Sequence, residues 1–100
     1  MLTLYEVSEL MRPVLASGPV AKAVVFGSYA KGTATENSDV DIVIDSEGAL
    51  SGFNFFVYSD KLMRTLPVKA DIFEYSEIKK PSALHSKIMN EGVVIYERTR

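Results

Sequence analysis

Between Val24 and Asp45 the chain reads VVFGSYAKGTATENSDVDIVID, and within it Asp39 and Asp41 stand one residue apart. On an extended strand both carboxylates leave the same face, about 5 Å apart, where two like charges repel by roughly 3 kcal/mol at an effective dielectric of about 20. A pair so placed calls for a cation. Mg²⁺ suits it, because that hard ion takes one or two protein carboxylates and fills its other positions with water and substrate phosphates. The aspartates therefore point to phosphate chemistry.

The first half of the stretch offers a seat for the phosphates. Gly27 ends an apolar run, and a glycine there lets the backbone approach an anion closely while the Ser28 hydroxyl donates to a phosphate oxygen. If residues 28–31 are helical, Lys31 lies one turn on and adds a point charge, with a solvated loop lysine as the plain alternative. Two better-known phosphate motifs fail here. Gly27 and Gly32 have the spacing of a P-loop, but Thr33 stands where its lysine is required, and no G-x-G-x-x-G follows the strand. In-line transfer commonly takes a third carboxylate to complete a metal site or to accept the proton of the attacking hydroxyl. Asp71 is the best candidate, since it sits in the apolar segment from Val68 to Phe73; its plain alternative is a surface ion pair with Lys69 or another base. Asp45 and Glu74 are weaker choices, Glu74 because it faces away from Asp71 on a regular strand.

These residues need elements to position them. Leu4, Val7, Leu10, Met11, Val14 and Leu15 recur at helical spacing, with Thr3 as N-cap and Glu6 completing a capping box. Pro13 interrupts the pattern and predicts a kink or an early end near Met11 or Arg12. Residues 21–26 read as a buried strand, and residues 39–45 as a second strand with Val40, Ile42 and Ile44 on one face and Asp39, Asp41, Val43 and Asp45 on the other. Residues 52–66 place Phe53, Phe56, Met63 and Leu66 at helical intervals, stopped by Pro67. The aromatic group Phe53, Phe55, Phe56 and Tyr58 is expected to supply core, although adjacent Phe55 and Phe56 cannot share a helix face, which leaves one of them for a partner. A third strand over 68–75, a helix from the Ser82 cap to Asn90 ended by Gly92, and a last strand over 93–96 complete an α/β pattern. His85 belongs to that last helix as a boundary residue without a catalytic role.

Composition sets the outer limits. The chain has 100 residues, 47% of them hydrophobic, which is enough for one domain and one core. A bulky second substrate would have to be held by another chain. Eleven basic against thirteen acidic residues, a net charge of −2, leave no broad footprint for direct polynucleotide binding. With no cysteine, disulfides and thiolate metal sites are excluded. No basic leader and no apolar run of roughly 20 residues is evident, so the expected setting is cytoplasmic, away from membranes.

The spacing Gly27-Ser28, ten residues, Asp39-Val-Asp41 resembles the GS-x10-D-x-D signature of the minimal nucleotidyltransferases, the small polymerase-beta-like proteins also called MNT or MntA-type antitoxins. Ser38 before the first aspartate and Asp71 in VKADIF fit the same pattern, and the flanks MRPVL and SKIMNEGVVIYE resemble the family's, less specifically. Lys31 stands where many relatives have arginine, which keeps a charge and gives up bidentate recognition. The resemblance implies one minimal nucleotidyltransferase domain over 1–100, a small mixed β-sheet flanked by helices. It further implies that Asp39, Asp41 and Asp71 bind Mg²⁺, as two ions, with Asp71 as ligand or base, and that Gly27, Ser28, Lys31 and Ser38 hold the nucleotide. The implied reaction moves AMP from ATP to a tyrosine of a HEPN-domain toxin, within a hetero-oligomer. The competing possibility is an antitoxin that works by occlusion with a vestigial nucleotide site; transfer to a small molecule such as an aminoglycoside is more distant.

Overall fold

The computed structural model describes residues 1–99. Four strands, β1 (Lys22–Phe26), β2 (Val40–Asp45), β3 (Ala70–Glu74) and β4 (Val93–Glu97), form one mixed sheet in the order β3-β2-β1-β4. β1 runs antiparallel to β2 and to β4, whereas β2 and β3 are parallel. Helices α1 (Leu4–Ser17) and α3 (Gly52–Met63) contribute to the main core with one face of the sheet, and α4 (Ala83–Glu91) covers part of the other; the short α2 (Ser28–Lys31) follows β1 directly.

The N-terminus of α1 is closed as its sequence requires: the Glu6 amide donates to Thr3 Oγ1 at 3.1 Å and the Thr3 amide to Glu6 Oε1 at 2.9 Å. Val7, Met11 and Leu15, one turn apart, are fully buried, and each such side chain stabilises the fold by about 1.5–3 kcal/mol. That stripe explains why α1 does not end at Pro13. The helix runs on to Ser17 because Leu15 beyond the proline must reach the core, while the Glu9 carbonyl that loses its donor lies on the exposed side.

Val40, Ile42 and Ile44 of β2 are completely buried toward α1 and α3. The opposite face is not acidic throughout: Val43 is buried there with Phe26, Ile78 and Ile88, so the aspartates are separated into Asp39 and Asp41 at one end and Asp45 at the other. In α3 the expected core face is inverted. Phe53 and Phe56 are 76% and 64% exposed and stack on each other with ring centroids 6.3 Å apart, and Met63 is exposed too. The helix buries Leu62 and Ser59 instead, with Phe55 and Tyr58 packed beside them, and ends at Met63; Leu66 is buried in the turn that follows.

Glu74 turns inward at the end of β3 and is 2% exposed. Its carboxylate accepts the Ser46 amide and hydroxyl through one oxygen and the Ser76 amide and hydroxyl through the other. A buried charge is tolerable only when so satisfied, and this one ties the exit of β2 to the exit of β3.

Candidate active site

The sheet register assembles the site. Asp41 pairs with Phe26 across the β1–β2 ladder and with Asp71 across the parallel β2–β3 ladder, so Asp41 and Asp71 are side by side on neighbouring strands and Gly27 follows immediately beyond. Adjacent strands lie about 4.8 Å apart, which brings the two carboxylates of a register pair on one face into strong mutual repulsion. Asp39 enters the same end of the sheet one residue before β2 begins.

Gly27 is required here on two counts. Its φ of +74° is strained for any residue with a side chain, and a Cβ at this position would lie 2.5 Å from Asp41 Oδ2. The Asp41 carboxylate thus rests against the backbone of the turn that enters α2. Tyr29, 6% exposed, anchors α2 in the core, and Gly32, in the left-handed region, closes it. The Lys31 amide donates to the Gly27 carbonyl at 3.1 Å and the Thr33 amide to the Ser28 carbonyl at 3.0 Å. Residues 28–31 are therefore helical, and Lys31 sits one turn after Ser28.

Electrostatics single out Asp41. Burial, first, and then the negative charges of Asp71 and Asp39 push its carboxyl above the ordinary value, while the Lys87 ammonium of α4 acts in the opposite direction. Lys69 is paired with Asp39 at 3.6 Å, not with Asp71. Lys31 Nζ lies 3.9 Å from Glu91 Oε2 at the end of α4. The Ser38 hydroxyl accepts the Thr35 amide at 2.8 Å, so Ser38 shapes the loop that delivers Asp39. Asp45 caps the next turn through the Glu47 amide at the far end of β2, and Glu74 is committed to Ser46 and Ser76; neither joins the aspartate group. His85 lies against Tyr75, with ring centroids 6.0 Å apart.

Sequence reasoning did not find Lys87 or Glu91 as neighbours of the site, and it gave Lys69 to Asp71 where the structure pairs it with Asp39. Lys87 and Glu91 carried one shared signal, their place in the quoted flank SKIMNEGVVIYE.

The donor types suit a hard cation: carboxylate oxygens from Asp39, Asp41 and Asp71, with Asp41 held at a disfavoured charge by burial and then by the other two. Among the described residues, no three His, Cys, Asp or Glu side chains are gathered into a cage that would hold a metal by themselves. A cation here would take its remaining ligands from water and from the substrate's phosphates, as Mg²⁺ ordinarily does.

The small mixed sheet thus sets paired aspartates beside a strand–glycine–serine–helix turn. The sequence profile of the family "Polymerase beta, Nucleotidyltransferase" matches residues 11–100, and the chain belongs to that family. It is similar to the protein adenylyltransferase MntA of Thermococcus cleftensis, 31% identical over 99 residues, covering 95% of this chain and 98% of the relative. Its fold is shared with a chain of a toxin–antitoxin crystal structure containing AMP-PNP, at a TM-score of 0.76 and 20% identity over 91% of this chain and 73% of that one. It is shared also with a chain from a complex of a tri-AMPylated Shewanella oneidensis HEPN toxin with an MNT antitoxin, at a TM-score of 0.62 and 18% identity, over 90% of this chain and 66% of that one. No helix among the described residues is long and apolar enough to cross a membrane.

Proposed function

We propose that this nucleotidyltransferase moves AMP from ATP to a tyrosine hydroxyl of a HEPN-domain toxin and thereby serves as its antitoxin. The observation that carries the reading is the register that sets Asp41 beside Asp71, with the Asp41 carboxylate against the turn at Gly27 and the Asp39 charge acting on it. The adenylyltransferase relative and the fold shared with a complex of an AMPylated toxin support the choice of nucleotide and acceptor.

Asp39, Asp41 and Asp71 would hold Mg²⁺, which supplies charge neutralisation of the triphosphate and of the leaving pyrophosphate. Gly27 lets the phosphates approach the backbone, Ser28 donates to a phosphate oxygen, and Lys31 adds positive charge. The acceptor oxygen bonds to the α-phosphorus as the bond from that phosphorus to the bridging oxygen breaks. Pyrophosphate leaves, and the hydroxyl proton passes to a carboxylate, for which Asp71, in register with Asp41, is the candidate. The acceptor is held on its own protein, so the functional unit is a hetero-oligomer, a reading supported by the toxin–antitoxin complexes that share this fold.

Intact-mass spectrometry of a HEPN-type partner coexpressed with this chain tests the reading. One or more added AMP units, absent when Asp39→Asn and Asp41→Asn are combined, are expected. A partner that stays unmodified yet is still silenced by the double variant would overturn transfer and leave inhibition by binding alone.

A further inference from the structure

Outside the aspartate group, one buried charged atom is left over. Glu91 Oε1 is buried and accepts no hydrogen bond among the described residues, while Oε2 of the same carboxylate faces Lys31 at 3.9 Å. A carboxylate oxygen withdrawn from water is costly unless the charge has a use for its position.

The position is rigidly fixed. Glu91 is the last residue of α4, and the Gly92 amide closes the helix by donating to the Ile88 carbonyl at 2.9 Å. A Cβ on Gly92 would lie 2.5 Å from Val24 Cγ1, so the turn is pressed onto β1, and Ile88 one turn back is buried with Phe26 and Val43. β1 is also the strand that leads into Gly27. One packed unit therefore carries both the turn at Gly27 and the carboxylate that faces Lys31.

We propose that Glu91 is a positioning residue that holds the Lys31 ammonium at the phosphate end of the nucleotide site. The inference rests on the reading of residues 27–31 as the phosphate seat. Lys31 is half exposed and carries a flexible four-carbon stem, so unaided it would lose much rotamer freedom in meeting a phosphate. A fixed carboxylate on a neighbouring helix removes part of that cost in advance, as the helix glutamate does for the phosphate-binding lysine of protein kinases.

The sign of the effect separates this role from simple charge. Removing a negative group near a triphosphate site should by Coulomb's law tighten ATP binding. Positioning demands the reverse.

Isothermal titration of ATP with Mg²⁺ into wild type, Glu91→Gln, Lys31→Ala and the double variant reads the difference, with thermal unfolding run on each protein. Glu91→Gln should weaken binding about fivefold, a typical size for a coupled pair, and should add nothing once Lys31 is alanine. Glu91→Asp, which keeps the charge and shortens the reach, should fall between. Unchanged or tighter binding by Glu91→Gln, or equal losses with and without Lys31, would overturn the proposal while leaving the phosphate seat intact. If Glu91→Gln does not fold, the Glu91→Asp and Lys31→Ala cycle decides on the same criterion. A wild-type protein that binds no ATP would overturn the phosphate seat and this inference together.

Discussion

Asp41 is held at a cost before any ligand arrives. Its folded-state pKa lies above the ordinary value of 3.8, so the stability it contributes is fully present below that value and is lost as pH rises through the raised one. At neutral pH the ionised group is a net burden on the free protein, and Asp41→Asn should raise its melting temperature by a few degrees while abolishing transfer. Added Mg²⁺ should raise the melting temperature of wild type and lose most of that effect in the variant. Scanning fluorimetry with and without the ion checks both; a variant less stable than wild type would refute the repulsion argument. Gly27→Ala belongs to the same scale. It forces a side chain into a left-handed backbone and against the Asp41 carboxylate, so transfer should fall by about 10²-fold, as expected when a reacting group is misplaced by about 1 Å. The aspartate pair and the glycine were legible in the sequence because their chemistry depends on spacing along one strand. Lys87 and Glu91 were not, because only the packing of α4 across the sheet brings them near.

At the scale of elements, α3 shows where periodicity stops deciding. Two apolar stripes wind along it, one through Phe53, Phe56 and Met63 and the other through Phe55, Tyr58 and Leu62, and hydrophobicity alone ranks the first no lower. The fold chooses the second because Tyr58 can donate to the Val14 carbonyl of α1 at 2.9 Å while Leu62 fills the core against the sheet. Replacing Leu62 by alanine should therefore cost about 2–5 kcal/mol, whereas Phe53→Ser with Phe56→Ser should alter stability by about 0.5 kcal/mol or less. Chemical denaturation of the two variants settles which face is core; comparable losses would contradict the exposed aromatic stack. The continuation of α1 through Pro13 has the same origin, since local backbone preference yields to the burial of Leu15. Strand order and the parallel pairing of β2 with β3 were equally beyond the sequence, being set by which crossover buries both helices.

For the whole molecule, the two helices that cover the main core are tied to each other at Tyr58. Its ring fills the space that Gly18 leaves by lacking a side chain, its hydroxyl reaches α1, and burial, with Tyr96 adding to it, pushes its pKa up to about 12 from the usual 10.0. The neutral phenol is thus the form the fold requires. Because the folded value is raised, the contribution is complete below pH about 10 and disappears as the pH climbs toward about 12. Tyr58→Phe removes the hydrogen bond and the titration together. At pH 8 the variant should be less stable than wild type by about 1 kcal/mol, the usual net worth of one such bond. The gap should close between pH about 10 and about 12, where wild type alone must lose a proton or break the contact. Urea denaturation of both proteins across that range reads the difference directly, and since every other lysine and tyrosine is common to the pair, their titration cancels. A gap that stays constant to pH 12 would show that the phenol is not what joins α1 to α3.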